Sequence, residues 1–300
     1  MRKTARLREL LRRDEILVLP GAFSPFVARQ IEAAGFEAAY LTGFGTAADV
    51  LGRPDLGLLT LPEMVAHARN TATAISIPLV SDADTGYGNA LNVRRTVEEF
   101  EGAGVAGIHI EDQVWPKRCG HMEGKQVIPT EEMVAKVRAA IRARQDPDFV
   151  IIARTDARAV NDLDDAIERS KAYLDAGADV LFVEAPQSVA ELERVAKTLR
   201  GVPLLINLAA GGKTPILSPK ELQDMGYRIA LFPVDTLFAA AKAIGDLLAH
   251  LRRTGTTADR KDQMLPFAEF LRLIGAPDLL AWERQCAEPN APSPPETGRP

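Results

Sequence analysis

The sequence predicts an α/β protein built as a closed (β/α)₈ barrel of the TIM type. Eight short apolar runs are interpreted as strands, at residues 16–20, 38–42, 77–84, 106–112, 148–155, 178–185, 202–207 and 228–233. Between them lie stretches with apolar residues at helical spacing, several of which end at Ala-Gly, where glycine stops a helix. Eight such units favour a closed parallel barrel. The alternative, an open doubly wound sheet, is weakened because no glycine-rich phosphate loop follows the first strand.

The segment after residue 254 predicts extra helices beyond the eighth unit. The helical stretches 259–275 and 276–285 carry apolar residues that need a surface to cover, either on this barrel or on a neighbouring subunit. The last stretch, 287–300, is proline-rich and polar, and we expect it to be disordered. We therefore predict one domain over residues 1–286, followed by a tail.

The composition narrows the class of protein. The formal net charge of −5 gives no electrostatic reason to expect nucleic acid or an anionic membrane as a partner. No apolar stretch is long enough to span a bilayer, and the basic N-terminal stretch lacks the apolar core of a signal peptide. Two cysteines, Cys119 and Cys286, cannot build a disulfide framework, so we expect a reducing, cytoplasmic setting.

Polar side chains collect where the predicted strands end. In a (β/α)₈ barrel the carboxyl ends of the strands converge on one face, where active sites lie. Contact with solvent explains any one such residue, but the set combines acids that suit a cation with an arginine and an amide that suit an anionic substrate. Its members are Thr42, Asp82, Asp84, Glu111, Asp112, Arg154, Asp156, Glu184 and Asn207.

Asp82 and Asp84 are the sharpest part of that set. Alternate residues of a strand face the same way, so both carboxylates can point at one place. Hard oxygen ligands with room for water suit Mg²⁺, and Mn²⁺ can substitute for it. The following Thr-Gly-Tyr-Gly and the preceding apolar strand make this signal stronger than an isolated Asp-x-Asp. Asp55 can reach the same cation or its waters.

The long segment 113–129, between the fourth strand and its helix, predicts a functional loop. Cys119 lies in it beside Lys117, Arg118 and His121, and cationic neighbours favour the thiolate needed for acid–base chemistry. A zinc site is disfavoured because one cysteine and one histidine at this spacing do not complete a ligand set. Cys286, in contrast, is predicted to be a small buried hydrophobic residue.

The motifs KRCGH after HIEDQ, with DADTGYG, ARTDA and VEAP, resemble the isocitrate lyase/phosphoenolpyruvate mutase superfamily over roughly residues 4–285. The resemblance implies that Cys119 is the catalytic acid/base on a mobile gating loop. It also implies a Mg²⁺ held by Asp82 and Asp84, with Asp55 and Glu111 reaching its water shell. The residues implied to contact or adjoin the substrate are Tyr40, Thr42, Gly43, Phe44, Gly120, Arg154, Glu184 and Asn207.

The reaction implied by the resemblance is a Mg²⁺-dependent carbon–carbon cleavage of a small 2-hydroxy dicarboxylate. A retro-aldol step would release a 2-oxo acid, and the other half would leave as an enediolate stabilised by Arg154 and His121. Cys119 would then protonate that carbon. The base that takes the hydroxyl proton is left open between Tyr40 and a metal-bound hydroxide.

Further motifs bear on the substrate. The phosphonate-handling mutases and hydrolases lack the cysteine of KRCGH, so a P–C bond reaction is disfavoured. The stretches WPKRCGHMEGK, GGKTP and GTTADRKDQM resemble the branch of 2,3-dimethylmalate lyase and the petal death protein, which cleaves 2-alkylmalates. Methylisocitrate lyases carry arginines for a third carboxylate where this chain has Phe238 and Phe267.

Several alternatives stay open at this point. Methylisocitrate lyase and an oxaloacetate hydrolase or decarboxylase would use the same metal site. A binding role without catalysis is disfavoured by the intact set of acids, cysteine and arginine. The resemblance further implies a homotetramer whose C-terminal helices are exchanged between subunits.

Overall fold

The barrel is present in the computed structural model, which describes residues 1–120 and 122–287. Eight parallel strands pair in sequence order, and β8 pairs with β1 to close the sheet. The predicted fold class is confirmed. The strands are β1 (Leu17–Ala22), β2 (Ala39–Leu41), β3 (Leu79–Asp82), β4 (Gly107–Glu111), β5 (Val150–Thr155), β6 (Val180–Val183), β7 (Leu204–Asn207) and β8 (Ile229–Phe232).

Helices alternate with these strands, and short extra turns lie among them. The helices are α1 (Lys3–Arg12), α2 (Pro25–Ala33), α3 (Gly43–Thr46), α4 (Leu61–Ala74), α5 (Ala90–Gly102), α6 (Thr130–Ala143), α7 (Ala157–Val160), α8 (Leu163–Asp175), α9 (Val189–Thr198), α10 (Pro219–Met225), α11 (Asp235–Thr254), α12 (Phe267–Leu273) and α13 (Ala276–Ala287). A π-helical turn spans Ala47–Leu51, and a 3₁₀ helix spans Ala258–Gln263.

The barrel interior is filled by alternate strand residues. Leu19, Val80, Ile152 and Phe182 belong to one buried apolar cluster, and Leu7 of α1 belongs to it as well. A second cluster fills the space between the strands and the surrounding helices. Burial of apolar surface is the main stabilisation of both layers, and it contributes about 25 cal/mol per Å² removed from water. Because strand residues alternate, this inner layer also decides which residues face inward at the strand ends.

The chain forms two compact units, one of Met1–Leu237 and one that begins at Phe238. The sequence analysis instead predicts one domain over residues 1–286. The single domain over residues 1–286 therefore stays a prediction. The expected tail over residues 287–300 falls outside the described residues, except that Ala287 ends α13. Among the described helices, none has the length and apolar character needed to cross a membrane.

The second unit presents much apolar surface. In its α12 and α13 no described residue is buried, and Leu279, Leu280 and Trp282 are exposed. Cys286 is exposed too, so the prediction that it is a buried hydrophobic residue is wrong. The reason is that α13 has no packed apolar face of its own in the described chain, and a thiol on it meets solvent.

Candidate active site

The inner layer of the barrel turns polar at the carboxyl ends of its strands. Two residues beyond Val80, Ile152, Phe182 and Leu205 of that layer stand the following side chains: Asp82, Arg154, Glu184 and Asn207. All four are buried. Because alternate residues of a strand face the same side, these polar side chains face the barrel interior directly above the apolar layer.

One side of this space is acidic. Asp55, Asp82 and Asp84 are all buried there, and Lys117 of the loop joins them. Lys117 Nζ lies 2.6 Å from Asp55 Oδ1 and 2.8 Å from Asp84 Oδ1. Burial raises the pKa of Asp84 to about 7, with Asp82 and Asp55 adding to the rise against Lys117. Burial alone would lower the pKa of Lys117, but Asp84 and Asp55 outweigh it and hold that pKa well above its ordinary value.

The other side is organised around Arg154. Its guanidinium lies 3.1 Å from Glu111 Oε2 and 3.3 Å from Glu184 Oε2, and its Nε donates to Asp156 Oδ2 at 2.9 Å. It also stacks over the Phe182 ring, 5.2 Å from the centroid. This planar cation is therefore fixed in orientation before any anion arrives, as a preorganised carboxylate receptor requires.

Asn207 and Glu184 are hydrogen-bonded to each other beside that arginine. Asn207 Nδ2 donates to both Glu184 carboxylate oxygens at 3.2 Å. Burial raises the pKa of Glu111 well above its ordinary value, against the opposing effect of Arg154. Two of the acids around Arg154 thus differ in their surroundings, since Glu184 has an amide donor and Glu111 Oε1 has no hydrogen-bond partner among the described residues.

The turn after β2 brings backbone close to the acids. Thr42 caps α3 by accepting a hydrogen bond from Gly45 N, and Gly43 N donates to Asp82 Oδ2 at 3.2 Å. A Cβ on Gly43 would stand 2.4 Å from that same oxygen, so only glycine allows this approach. Amides at a helix start favour negative charge, although this helix is a single turn.

Tyr40 continues the inner layer beneath the acids. Its hydroxyl oxygen lies 2.7 Å from His109 Nε2, and that nitrogen lies 3.1 Å from Asp82 Oδ1. Burial lowers the pKa of His109 to about 4, so this imidazole is neutral at pH 7. Burial raises the pKa of Tyr40 well above its ordinary value, and Tyr40 therefore keeps its phenolic proton in this arrangement.

The loop 113–129 folds over the site as an irregular hairpin. Gln113 pairs with Val127 as an antiparallel bridge, and Val114 N donates to Gln126 O at 2.8 Å. The loop brings Cys119, Gly120 and Lys117 to a cavity shared with Tyr40, Thr42, Phe44, Asp55, Asp82, Arg154, Glu184 and Asn207. The cavity has a volume of about 50 Å³ and the loop covers it; this position of the loop is called closed below.

Backbone strain also concentrates at this end of the barrel. Three residues other than glycine have positive φ among the described residues: Asp84 at 47°, Tyr87 at 60° and Ala185 at 54°. Each follows the end of a strand, β3 or β6. Left-handed backbone costs free energy for such residues and persists where the surroundings force it, most often at functional sites.

Two substrate residues predicted from the sequence lie outside the barrel unit. Phe238 and Phe267 belong to the second unit, where they are 44% and 76% exposed, and their substrate role stays a prediction. His121 falls outside the described residues. The structure adds Lys117, Lys125 and His109, which the sequence reasoning did not assign to the site. Of these three, only Lys117 had a signal, as a cation next to Cys119. Asp156, already named among the polar residues at the strand ends, lies beside Arg154.

The acids fit a divalent cation through the chemistry of their donors. Asp82 and Asp84 offer hard, buried carboxylate oxygens, and Asp84 carries a pKa that a nearby cation would lower. No three side chains of His, Cys, Asp or Glu converge into a ready ligand cage within residues 1–120 and 122–287. Mg²⁺ does not need one, since it binds through one or two carboxylates and keeps several waters.

The fold and the site are those of a (β/α)₈-barrel enzyme. The family model described as phosphoenolpyruvate phosphomutase matches residues 7–252. The chain is 47% identical to 2,3-dimethylmalate lyase of Eubacterium barkeri over 92% of this chain and 95% of that protein. It is also 47% identical to probable 2-methylisocitrate lyase 1 of Corynebacterium glutamicum, over 88% and 86%. The chain therefore belongs to the PEP mutase/isocitrate lyase superfamily, as its motifs predicted.

Solved structures agree with this assignment. A crystal structure of 2,3-dimethylmalate lyase, a member of that superfamily, superposes with a TM-score of 0.91 at 39% identity, covering 95% of this chain and 96% of that one. The structure of oxaloacetate acetylhydrolase with 3,3-difluorooxalacetate superposes with a TM-score of 0.90 at 36% identity, covering 95% of this chain and 97% of that one. The structure of phosphonopyruvate hydrolase with oxalate and Mg²⁺ superposes with a TM-score of 0.87 at 30% identity, covering 96% of this chain and 100% of that one.

Proposed function

We propose that this enzyme cleaves a carbon–carbon bond of a 2-hydroxy dicarboxylate. The preferred substrate class is the 2-alkylmalates, such as 2,3-dimethylmalate, and the products are a 2-oxo acid such as pyruvate and a carboxylic acid. The observation that carries the proposal is one cavity lined by Cys119 on a closed loop, by the acids Asp55 and Asp82, and by the fixed Arg154. The similarity to 2,3-dimethylmalate lyase supports the substrate class.

The chain's own residues divide the work. Arg154 offers a preoriented guanidinium to a substrate carboxylate, and Asn207 adds an amide within the same cavity. The Gly43 amide and Thr42 border the acidic side, where the 2-oxo acid portion would lie, with Phe44 beside it. Arg154 would also stabilise negative charge on the departing half as the bond breaks.

Cys119 holds the proton that completes the reaction. Its Sγ delivers this proton to the carbon of the departing half, which leaves as a carboxylic acid. The closed loop keeps water from competing for that carbon. The proton of the substrate hydroxyl passes to Tyr40 or to a hydroxide that enters with the cation, the two acceptors considered from the sequence; Tyr40 lines the cavity beside His109. His121 stays a predicted donor from the sequence.

A divalent cation, Mg²⁺ with Mn²⁺ as substitute, would be held by Asp82 and Asp84, with Asp55 and Glu111 near its water shell. When bound, it lowers the free-energy cost of deprotonating the substrate hydroxyl. The solved phosphonopyruvate hydrolase with Mg²⁺ supports this assignment. We further propose a homotetramer with exchanged C-terminal helices. We also propose a cytoplasmic location, which two cysteines outside any disulfide support.

The test is a product analysis with purified protein and Mg²⁺. Candidate substrates are 2,3-dimethylmalate, methylisocitrate, isocitrate and oxaloacetate. Formation of pyruvate with an equal amount of propionate from 2,3-dimethylmalate is the expected result. A second candidate, oxaloacetate hydrolysis, is favoured by the similarity to oxaloacetate acetylhydrolase and would give oxalate and acetate. Turnover of none of these compounds would contradict the proposal.

A further inference from the structure

A second lysine of the loop, Lys125, joins the loop to the residue that follows strand β5. Lys125 is buried, with 2% of its side chain exposed, and its Nζ donates to Asp156 Oδ1 at 2.7 Å. The same ammonium donates to the carbonyl oxygen of Gly120, five residues earlier in the loop. Lys125 therefore connects two parts of the loop through Gly120, and it connects both to Asp156, the residue that follows β5.

Asp156 is already held by the barrel independently of the loop. Arg154 donates to it twice, from Nε at 2.9 Å and from Nη2 at 3.1 Å. The backbone N–H of Asp156 donates to Asp112 Oδ1 at 2.9 Å, and Asp112 accepts further hydrogen bonds from Thr155 and Tyr173. Asp156 Oδ1 thus accepts from both the loop lysine and the substrate-site arginine.

Gly120 shows what this contact controls. A Cβ on Gly120 would stand 2.5 Å from Arg154 Nη2 and 2.8 Å from Glu184 Cδ, so the loop backbone packs directly on these side chains. Cys119 is the neighbouring residue. A fixed position of the Gly120 carbonyl therefore fixes where the Cys119 thiol meets the cavity.

We propose that Lys125 is a positioning residue whose ammonium locks the closed loop onto Asp156 and so holds Cys119 at the cavity. The proposal rests on the proposed function only in giving Cys119 a role at this site. When the Lys125 contact breaks, its ammonium returns to water while Asp156 keeps both hydrogen bonds from Arg154. Breaking this contact therefore leaves no unpaired charge at Asp156, and the lock can form and break in each turnover.

The strength of the lock follows from its chemistry. Burial raises the pKa of Asp156, but Arg154 and Lys125 outweigh it and hold that pKa well below its ordinary value. Asp156 is therefore ionised at neutral pH and accepts a charge-assisted hydrogen bond from Lys125. Loss of one such bond at a buried site shifts a closing equilibrium by about tenfold or more.

The experiment measures the rate at which iodoacetamide alkylates Cys119 in the full-length protein. Cys286→Ser removes the other thiol, which is exposed and on α13. In this background, Lys125→Met is expected to speed alkylation at least about tenfold. Lys171→Met, which breaks an exposed pair with Glu168 on α8, is the matched control and should leave the rate unchanged. Thermal unfolding checks that each variant is folded.

The direction of the change separates opening from electrostatics. Removing a nearby cation raises the pKa of a thiol and slows its alkylation, so faster alkylation reports an opened loop. A double-mutant cycle then tests the partner: in an Asp156→Asn background, Lys125→Met should give little further increase. A rate for Lys125→Met at or below that of the parent overturns the proposal, and so do fully additive effects in the cycle.

The proposed lyase function is tested separately by turnover. Lys125→Met is expected to lower kcat for 2,3-dimethylmalate at least about tenfold, because Cys119 is less often in place. If Lys125→Met is alkylated faster but the parent enzyme turns over none of the candidate substrates, the lock stands and the lyase proposal is contradicted. Turnover by the parent with unchanged alkylation in Lys125→Met would contradict the lock alone.

Discussion

Charges at the mouth of the barrel are arranged in pairs that suit both binding and folding. Lys117 lies between Asp55 and Asp84, and Arg154 lies between Glu111 and Glu184. An unpaired buried charge costs several kcal/mol, so each cation offsets the desolvation of the acids beside it. A substrate or a metal ion that enters the site must therefore replace contacts within these existing ion pairs, because the site already contains charges of both signs.

Cys119 is the residue whose replacement should separate chemistry from folding. We expect Cys119→Ser to keep the fold and metal binding and to lower kcat about 10²–10⁴-fold, the usual contribution of a general acid or base. Steady-state kinetics with 2,3-dimethylmalate measures this loss. Cys286→Ser, on the exposed face of α13, is the matched control and should keep full activity. A Cys119→Ser enzyme within a few-fold of the parent would rule out the assigned role.

Asp84 is where metal dependence should be visible. We expect thorough EDTA treatment to abolish activity and added Mg²⁺ or Mn²⁺ to restore it, because grouped buried carboxylates favour a cation. Asp84→Ala should weaken Mg²⁺ binding measured by calorimetry. Asp224→Ala, which removes an exposed acid paired with Lys220 on α10, should not. Full activity after EDTA, with Asp84→Ala binding Mg²⁺ as the parent does, would contradict the metal assignment.

At the scale of elements, the loop 113–129 combines tasks that are usually spread over several segments. It supplies Cys119, places Lys117 among the acids and packs Gly120 against Arg154. Its hairpin pairing between Gln113 and Val127 anchors it at both ends next to the barrel. Substitutions in this loop should consequently change catalysis more than the stability of the fold.

Substrate preference is predicted to depend on two phenylalanines of α11 and α12. We expect a higher kcat/KM for 2,3-dimethylmalate than for methylisocitrate, because a third carboxylate facing Phe238 and Phe267 would lose water without gaining a partner. Such a loss costs at least about 2 kcal/mol, whereas each buried methylene of an alkyl group contributes about 0.8 kcal/mol. Both substrates are measured with the same preparation. If methylisocitrate is better, the branch assignment is wrong although a lyase remains.

At the scale of the whole molecule, the apolar surface of the C-terminal helices predicts self-association. Leu279, Leu280 and Trp282 of α13 and Phe267 of α12 are exposed, which is more apolar surface than a stable monomer leaves in water. We expect a tetramer by light scattering at micromolar concentration. Leu279→Asp with Leu280→Asp should shift it toward smaller species, whereas Leu91→Asp, at an exposed leucine of α5, should not. A monomeric parent protein would contradict this expectation.

The order of residues along the chain determined the barrel and much of the candidate site by itself. Apolar runs at regular spacing predicted all eight strands, and Asp82, Arg154, Glu184 and Asn207 were predicted from their places at the ends of those strands. Both signals are local: a strand exposes every second residue to the same side, whatever its partners are. The loop 113–129 was likewise visible as a polar insertion with a cysteine.

Only the tertiary structure decided which charges meet. Lys117 pairs with Asp55 across 62 residues of sequence, and Lys125 pairs with Asp156 across 31. A lysine in a polar loop is ordinarily solvated, and nothing local distinguishes Lys125 from any other. The exposed position of Cys286 was also decided there, because burial depends on whether another surface covers α13. Pairing and burial are properties of the desolvated space that the folded chain encloses, and that space exists only once distant segments have come together.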